Sequence, residues 1–171
     1  MTRTARLAIL LAPIGLAACS GGDAPHLPCP QVSVLQQASH LVRASGDAGN
    51  IAARLIDARV TGVAGTCTAT SDQEERVKFR IGFAATNGPA STLTTQTLPY
   101  FVAITEGDRI IAKNVYPVTF TFRDGADQVV ATTKPIRLDF PRAAKSAHQQ
   151  VLVGFQMNEA ELANELGEAG H

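Results

Sequence analysis

Arg76-Val77-Lys78-Phe79-Arg80-Ile81-Gly82-Phe83 alternates between charged or small residues and apolar ones without a break. Successive side chains of a β-strand point to opposite faces, so Val77, Phe79, Ile81 and Phe83 share one face while Arg76, Lys78 and Arg80 share the other. A strand that is apolar on one face only belongs in a sheet with one side on a core and the other in water. Asn87-Gly88-Pro89 supplies the turn that ends it.

Working outward, the same period recurs. Upstream, Ile56, Ala58 and Val60 share a face within Arg54 to Thr61, and Gly62 to Gly65 predicts a bend or bulge before Cys67. Gln31 to Arg43 reads two ways. Val34, Leu35, Ala38, Leu41 and Val42 fit a helical stripe, whereas Val32, Val34 and the β-branched content fit a strand. A strand is preferred, because Cys29 just before it can be stapled to Cys67 and Ala44 to Asn50 has the small, polar composition of a strand connection.

Downstream, Ser91 to Thr97 reads as an exposed loop. Pro99 to Thr105 is nearly all apolar, as a central strand buried on both faces would be, and Glu106-Gly107-Asp108 turns it into Ile110 to Lys113 as a hairpin. Tyr116-Pro117 is expected to break the ladder. Val118, Phe120 and Phe122 then alternate with polar residues until Asp124-Gly125, and short strands follow at Gln128 to Ala131, around Ile136, Leu138 and Phe140, and around Val151, Val153 and Phe155. Asn158 and Glu161 form an Asn-led capping box opening a short helix with Leu162 and Leu166 on one side and Gly167 as its stop. Roughly seven or eight strands with regular turn signals predict an all-β fold, an antiparallel immunoglobulin-like β-sandwich with a short C-terminal helix, a small barrel being the alternative. Loops or the helix leucines are expected to cover the second face of the Pro99 to Thr105 strand.

The N-terminus carries a different signal. Arg3 and Arg6 precede an apolar run from Leu7 to Leu16, too short to span a bilayer stably but suited to secretion, and Leu16-Ala17-Ala18-Cys19 follows. This resembles the lipobox of bacterial lipoproteins. The resemblance implies a signal peptide over residues 1–18, a diacylglycerol thioether on Cys19, usually with N-acylation, and membrane attachment made permanent by more than one acyl chain. By the same resemblance Ser20, where an Asp tends to retain such proteins in the inner membrane, implies sorting to the outer membrane, on its periplasmic face. Residues 19–28 then form a lipidated tether whose nine or so residues reach roughly 30 Å when extended, and residues 29–171 form the domain. Across that domain, Cys29-Pro30, Gly65-Thr66-Cys67, Pro99-Tyr100-Phe101-Val102-Ala103-Ile104 and Val151-Leu152-Val153-Gly154-Phe155-Gln156 resemble a group of uncharacterised alphaproteobacterial lipoproteins, which carries no activity with it.

Removing residues 1–18 from the 171 leaves about 153, enough for one domain with its own core. Arg3 and Arg6 leave with the signal, so 15 basic residues fall to 13 against 15 acidic ones. That balance gives no footprint for nucleic acid, and 5% aromatics without Trp disfavour stacking platforms. Cys29 and Cys67 remain after lipidation and are expected to pair in an oxidising compartment.

Candidate chemistry is sparse. No Gly-x-Ser-x-Gly elbow, phosphate loop or His-Glu-x-x-His helix occurs, and Ser146 near His148 is adjacency along a loop rather than a triad. His26, His40, His148 and His171 show no metal-ligand spacing, so no metal and no cofactor is expected, and His40 reads as a strand-face or edge residue. Asp72, Glu74 and Glu75 read as a solvated turn rather than a calcium loop, which would need about six to eight oxygens. Arg76, Lys78 and Arg80 form a basic row that would suit lipopolysaccharide phosphates, anionic headgroups or an acidic protein, though a solvated sheet face is the commoner use of such a row. Together with Tyr100 they form the candidate partner surface. The functional expectation is a non-enzymatic, lipid-anchored binding or assembly module of the cell envelope, with the membrane and an envelope protein as partners. The alternative is a carrier of a small apolar ligand or lipid.

Overall fold

The computed structural model describes residues 29–123, 126–141 and 148–168. Cys19, the tether, the Asp124-Gly125 turn, Ser146, His26 and His171 lie outside them.

The alternating stretch lies in β4 (Glu74–Asn87), whose apolar face is fully buried at Phe79, Ile81 and Phe83. β3 (Arg54–Ala69) runs antiparallel along its whole length, and the register shifts between Val60 and Gly62. The expected bulge therefore exists, and Gly62 takes it with a φ of 149°, a conformation side chains disfavour. β2 (His40–Ala44) pairs with the first part of β3. On the other edge of β4 lie β7 (Gln128–Thr132), opposite Gly82 to Thr86, and β8 (Ile136–Pro141), opposite Glu74 to Phe79. Thr133 bridges the step between them: Ile81 N–H donates to its Oγ1 at 3.0 Å and its own N–H donates to the Ile81 carbonyl at 3.0 Å.

The second sheet has the order β1–β9–β5–β6, from β1 (Gln31–Val34), β9 (Gln149–Phe155), β5 (Thr95–Glu106) and β6 (Arg109–Thr121). Both sheets are open, so the fold is the expected β-sandwich and not a barrel. Phe83 sits at the centre of the interlayer core, its ring centroid 5.3 Å from that of Tyr100, 5.5 Å from Phe155 and 6.4 Å from Phe120. Burying such side chains contributes about 1.5–3 kcal/mol each.

Several local expectations change. Gln31 to Arg43 is two strands, not one: β1 lies parallel to β9, a 3-10 turn follows at Gln36–Ala38, and β2 joins the opposite sheet. The residues that fit a helical stripe are instead divided among β1 (Val34), the turn (Ala38) and β2 (Leu41 and Val42), where the chain crosses from one sheet to the other. Ala38 rests on Gly154, where an added Cβ would stand 2.7 Å from Ala38 Cβ. Tyr116-Pro117 does not break the ladder. Pro117 stands opposite Pro99 in the edge strand β6, and the Pro99 carbonyl accepts from Gln156 N–H at 2.9 Å on the β9 side. Neither proline nitrogen is therefore asked to donate across the β5–β6 pair, which is why an edge strand tolerates it. Thr95 to Thr97, read as loop, open β5.

β5 is buried on both faces as expected. Leu98, Tyr100 and Val102 enter the main core, while Phe101 and Ala103 form a second cluster with Ala38, packed by Leu35, Leu152 and Met157. The cover is thus the 3-10 turn, and Leu162 and Leu166 of α1 (Glu159–Glu168) stay 39% and 52% exposed. The capping box forms, with Glu161 N–H donating to Asn158 Oδ1 at 2.8 Å and Asn158 N–H to Glu161 Oε2 at 2.9 Å. The helix runs through Gly167, which is not its stop. Among the described residues no helix is long and apolar enough to cross a membrane.

Candidate functional site

The outer face of the five-stranded sheet presents Arg76, Lys78 and Arg80, all exposed, because their neighbours Val77, Phe79 and Ile81 are drawn inward. Register with β8 sets Arg76 opposite Asp139 and Lys78 opposite Arg137. Arg76 is spoken for. Its Nε and Nη2 donate to the two Asp139 carboxylate oxygens at 2.6 and 3.0 Å, a bidentate pair that raises the arginine pKa and lowers that of Asp139. Lys78, Arg80 and Arg137 form no ion pair with a carboxylate among the described residues. Like charges directly opposite on a sheet face destabilise it, so Lys78 against Arg137 is a cost the fold does not need. Beside them a shallow cleft of about 250 Å³ runs between Thr66 and Pro135, floored by Ala64 and Gly65.

Tyr100 does not belong to this surface. It is 5% exposed in the opposite sheet, facing Phe83, and burial pushes its phenol pKa up. The four candidate partner residues therefore separate into one exposed row and one core residue.

Cys29 and Cys67 are bonded, as expected, with Cα atoms 6.3 Å apart. The bond ties the chain just before β1 to the far end of β3, across the open edge of the sandwich. Glu75 corrects the solvated-turn reading: Glu74 is exposed, but Glu75 is fully buried and neither carboxylate oxygen has a hydrogen-bond partner among the described residues. The signal was present in the sequence. Carrying the period of two back from Phe79 and Val77 puts position 75 on the inner face. Its carboxylate lies within 4.8 Å of both cysteine sulfurs.

His40 on the edge strand β2 is the third polar centre. Its Nδ1 pairs with Glu165 Oε2 of α1 at 2.9 Å and its Nε2 with Asp57 Oδ1 of β3 at 2.9 Å. The hydrogen bond to Asp57, reinforced by the charges of Glu165 and Asp57 against partial desolvation, raises its pKa from 6.5 to about 9. Asp57 is lowered in return, first by His40 and then by the charge of Arg54. With a carboxylate on each nitrogen, His40 has no lone pair free for a substrate proton; it is a cation that clips the helix to the sheet. Arg43 adds a second clip, its Nε donating to Glu161 Oε1 at 2.8 Å. No family model, curated protein or solved structure matches the chain.

Proposed function

We propose that the protein is a non-enzymatic binding or assembly module of the cell envelope, lipid-anchored through Cys19 on the periplasmic face of the outer membrane. It meets an anionic partner, an envelope protein or glycolipid, through the outer face of β4 and β8. The observation that carries this reading is the row of Lys78, Arg80 and Arg137, exposed and without carboxylate partners among the described residues. Surface charge of one sign steers association with its opposite and weakens with salt. The tether inferred from the sequence would hold Cys29, where the domain begins, within roughly 30 Å of the bilayer.

The apolar-carrier alternative needs an internal cavity. The space between the sheets is occupied by Phe79, Phe83, Phe120 and Phe155, and surface clefts of about 230–380 Å³ are open grooves rather than enclosed cavities. The test is capture from crosslinked membranes, comparing the wild type with K78E/R80E/R137E, alongside fractionation of Cys19→Ala. The reading expects a reproducible partner that the charge-reversed chain loses, and release of Cys19→Ala from the membrane fraction. A partner captured equally by both chains, or Cys19→Ala still sedimenting with membranes, would contradict it.

A further inference from the structure

Glu75 occupies a position where β4 calls for an apolar side chain. Val77 and Phe79 follow on the same inner face, and neither oxygen of the carboxylate is partnered among the described residues. A buried polar group without a hydrogen bond is a net cost to folding. Cys29 Sγ and Cys67 Sγ lie within 4.8 Å of the Glu75 carboxylate, and a disulfide offers no N–H or O–H to satisfy a carboxylate. The cluster is thus incomplete in the oxidised protein.

We propose that the dithiol form of the protein binds Zn²⁺ through Cys29 Sγ, Cys67 Sγ and a Glu75 carboxylate oxygen, and that formation of the disulfide expels the ion. Two thiolates and a carboxylate suit a borderline divalent ion, and three protein ligands leave one tetrahedral position for water. The separation of the cysteine Cα atoms, 6.3 Å, already brings both sulfurs to one point, and the three donors come from the segment before β1, from β3 and from β4. Such a site, made by three separate parts of the chain, needs the folded domain. Both cysteines are only partly buried, and Cys67 lines the cleft of about 230 Å³ beside Pro30 and Val32, so a small reductant has access to the sulfur.

The opening step is thiol–disulfide exchange with a dithiol. The Cys29–Cys67 bond breaks, the two sulfurs of the dithiol join, and its two electrons and two protons pass to Cys29 and Cys67. Binding of Zn²⁺ then displaces those two thiol protons to solvent. Reoxidation by a disulfide of the same class reverses both steps.

The purified full chain is reduced with a dithiol, freed of excess under argon, and titrated with Zn²⁺ by calorimetry and with Co²⁺ by absorbance. The expected result is one equivalent of Zn²⁺ in the reduced protein and none in the oxidised, with a thiolate-to-cobalt charge-transfer band. Glu75→Gln, which keeps the shape, should weaken binding by at least about tenfold, a loss that removing even a hydrogen-bond partner of a metal ligand produces. Should the reduced chain prove unfolded, Zn²⁺ must restore its β-sheet circular dichroism. Absence of binding by the reduced wild type, equal binding by the oxidised form, undiminished affinity in Glu75→Gln, or failure of Zn²⁺ to restore an unfolded reduced chain would each overturn the site.

Discussion

Replacing His40 by Gln should cost stability at pH 6 and cost little at pH 10. The imidazole is held between Asp57 and Glu165 and titrates near 9 rather than 6.5. For a fully buried group that displacement would correspond to about 3 kcal/mol, since each tenfold in protonation is about 1.4 kcal/mol. The side chain is 35% exposed, and water screens the pair, which reduces the expected contribution to about 1–2 kcal/mol. The sign follows from linkage: the folded pKa lies above the unfolded one, so the stabilisation is complete below pH 6.5 and is lost as pH rises towards 9. Urea denaturation of wild type and His40→Gln at a series of pH values from 6 to 10 reads the difference, and the His40 ring proton resonance reads the pKa directly. A difference that stays constant across that range, or a ring titrating at or below 6.5, would refute the clip.

Other perturbations test separate parts of the molecule. Reducing the Cys29–Cys67 bond without metal, or replacing both cysteines by Ser, should lower stability by about 4 kcal/mol, as the chain-entropy relation gives for a loop of 38 residues, read as a shifted denaturation midpoint. Glu75→Met should raise stability by about 1–3 kcal/mol by removing a carboxylate that has no partner among the described residues, and should abolish zinc binding. Gly154→Ala should cost about 1–3 kcal/mol, because its Cβ would stand 2.7 Å from Ala38 Cβ and push the 3-10 turn off β9; hydrogen exchange at Leu35 and Ala38 should rise with it. Phe83→Ala should cost about 3–5 kcal/mol in the same assay.

Much of the fold was legible wherever one face of a strand is wet. β4 announces itself because Arg76, Lys78 and Arg80 alternate with Val77, Phe79 and Ile81, and the helix start because Asn158 and Glu161 are close in sequence and bond to each other. Where long-range contacts decide, the sequence is mute. Pro117 is harmless only because β6 lies at an edge, and Gln31 to Arg43 divides only because β1 and β2 join different sheets. Of the candidate surface, the basic row survives because exposure follows from alternation, while Tyr100, in a strand apolar on both faces, gave no hint of which face is core. The ion pairs of His40 span 17 and 125 residues of chain, so no local pattern signals them. Glu75 differs in kind. Its inward face was readable from the period of two, but its nearness to Cys29 and Cys67 depends on the long β3–β4 hairpin.

The most direct test of the envelope-binding role is photo-crosslinking in intact cells, with single photoreactive residues at Lys78, at Arg80 and, as a buried control, at Tyr100, followed by mass spectrometry of membrane fractions. A specific adduct at 78 or 80, absent at 100 and weakened when Arg137 is reversed to Glu, is the predicted result. Adducts that do not distinguish the exposed row from the control, or a chain recovered in the soluble fraction, would contradict a membrane-anchored module that works through this face.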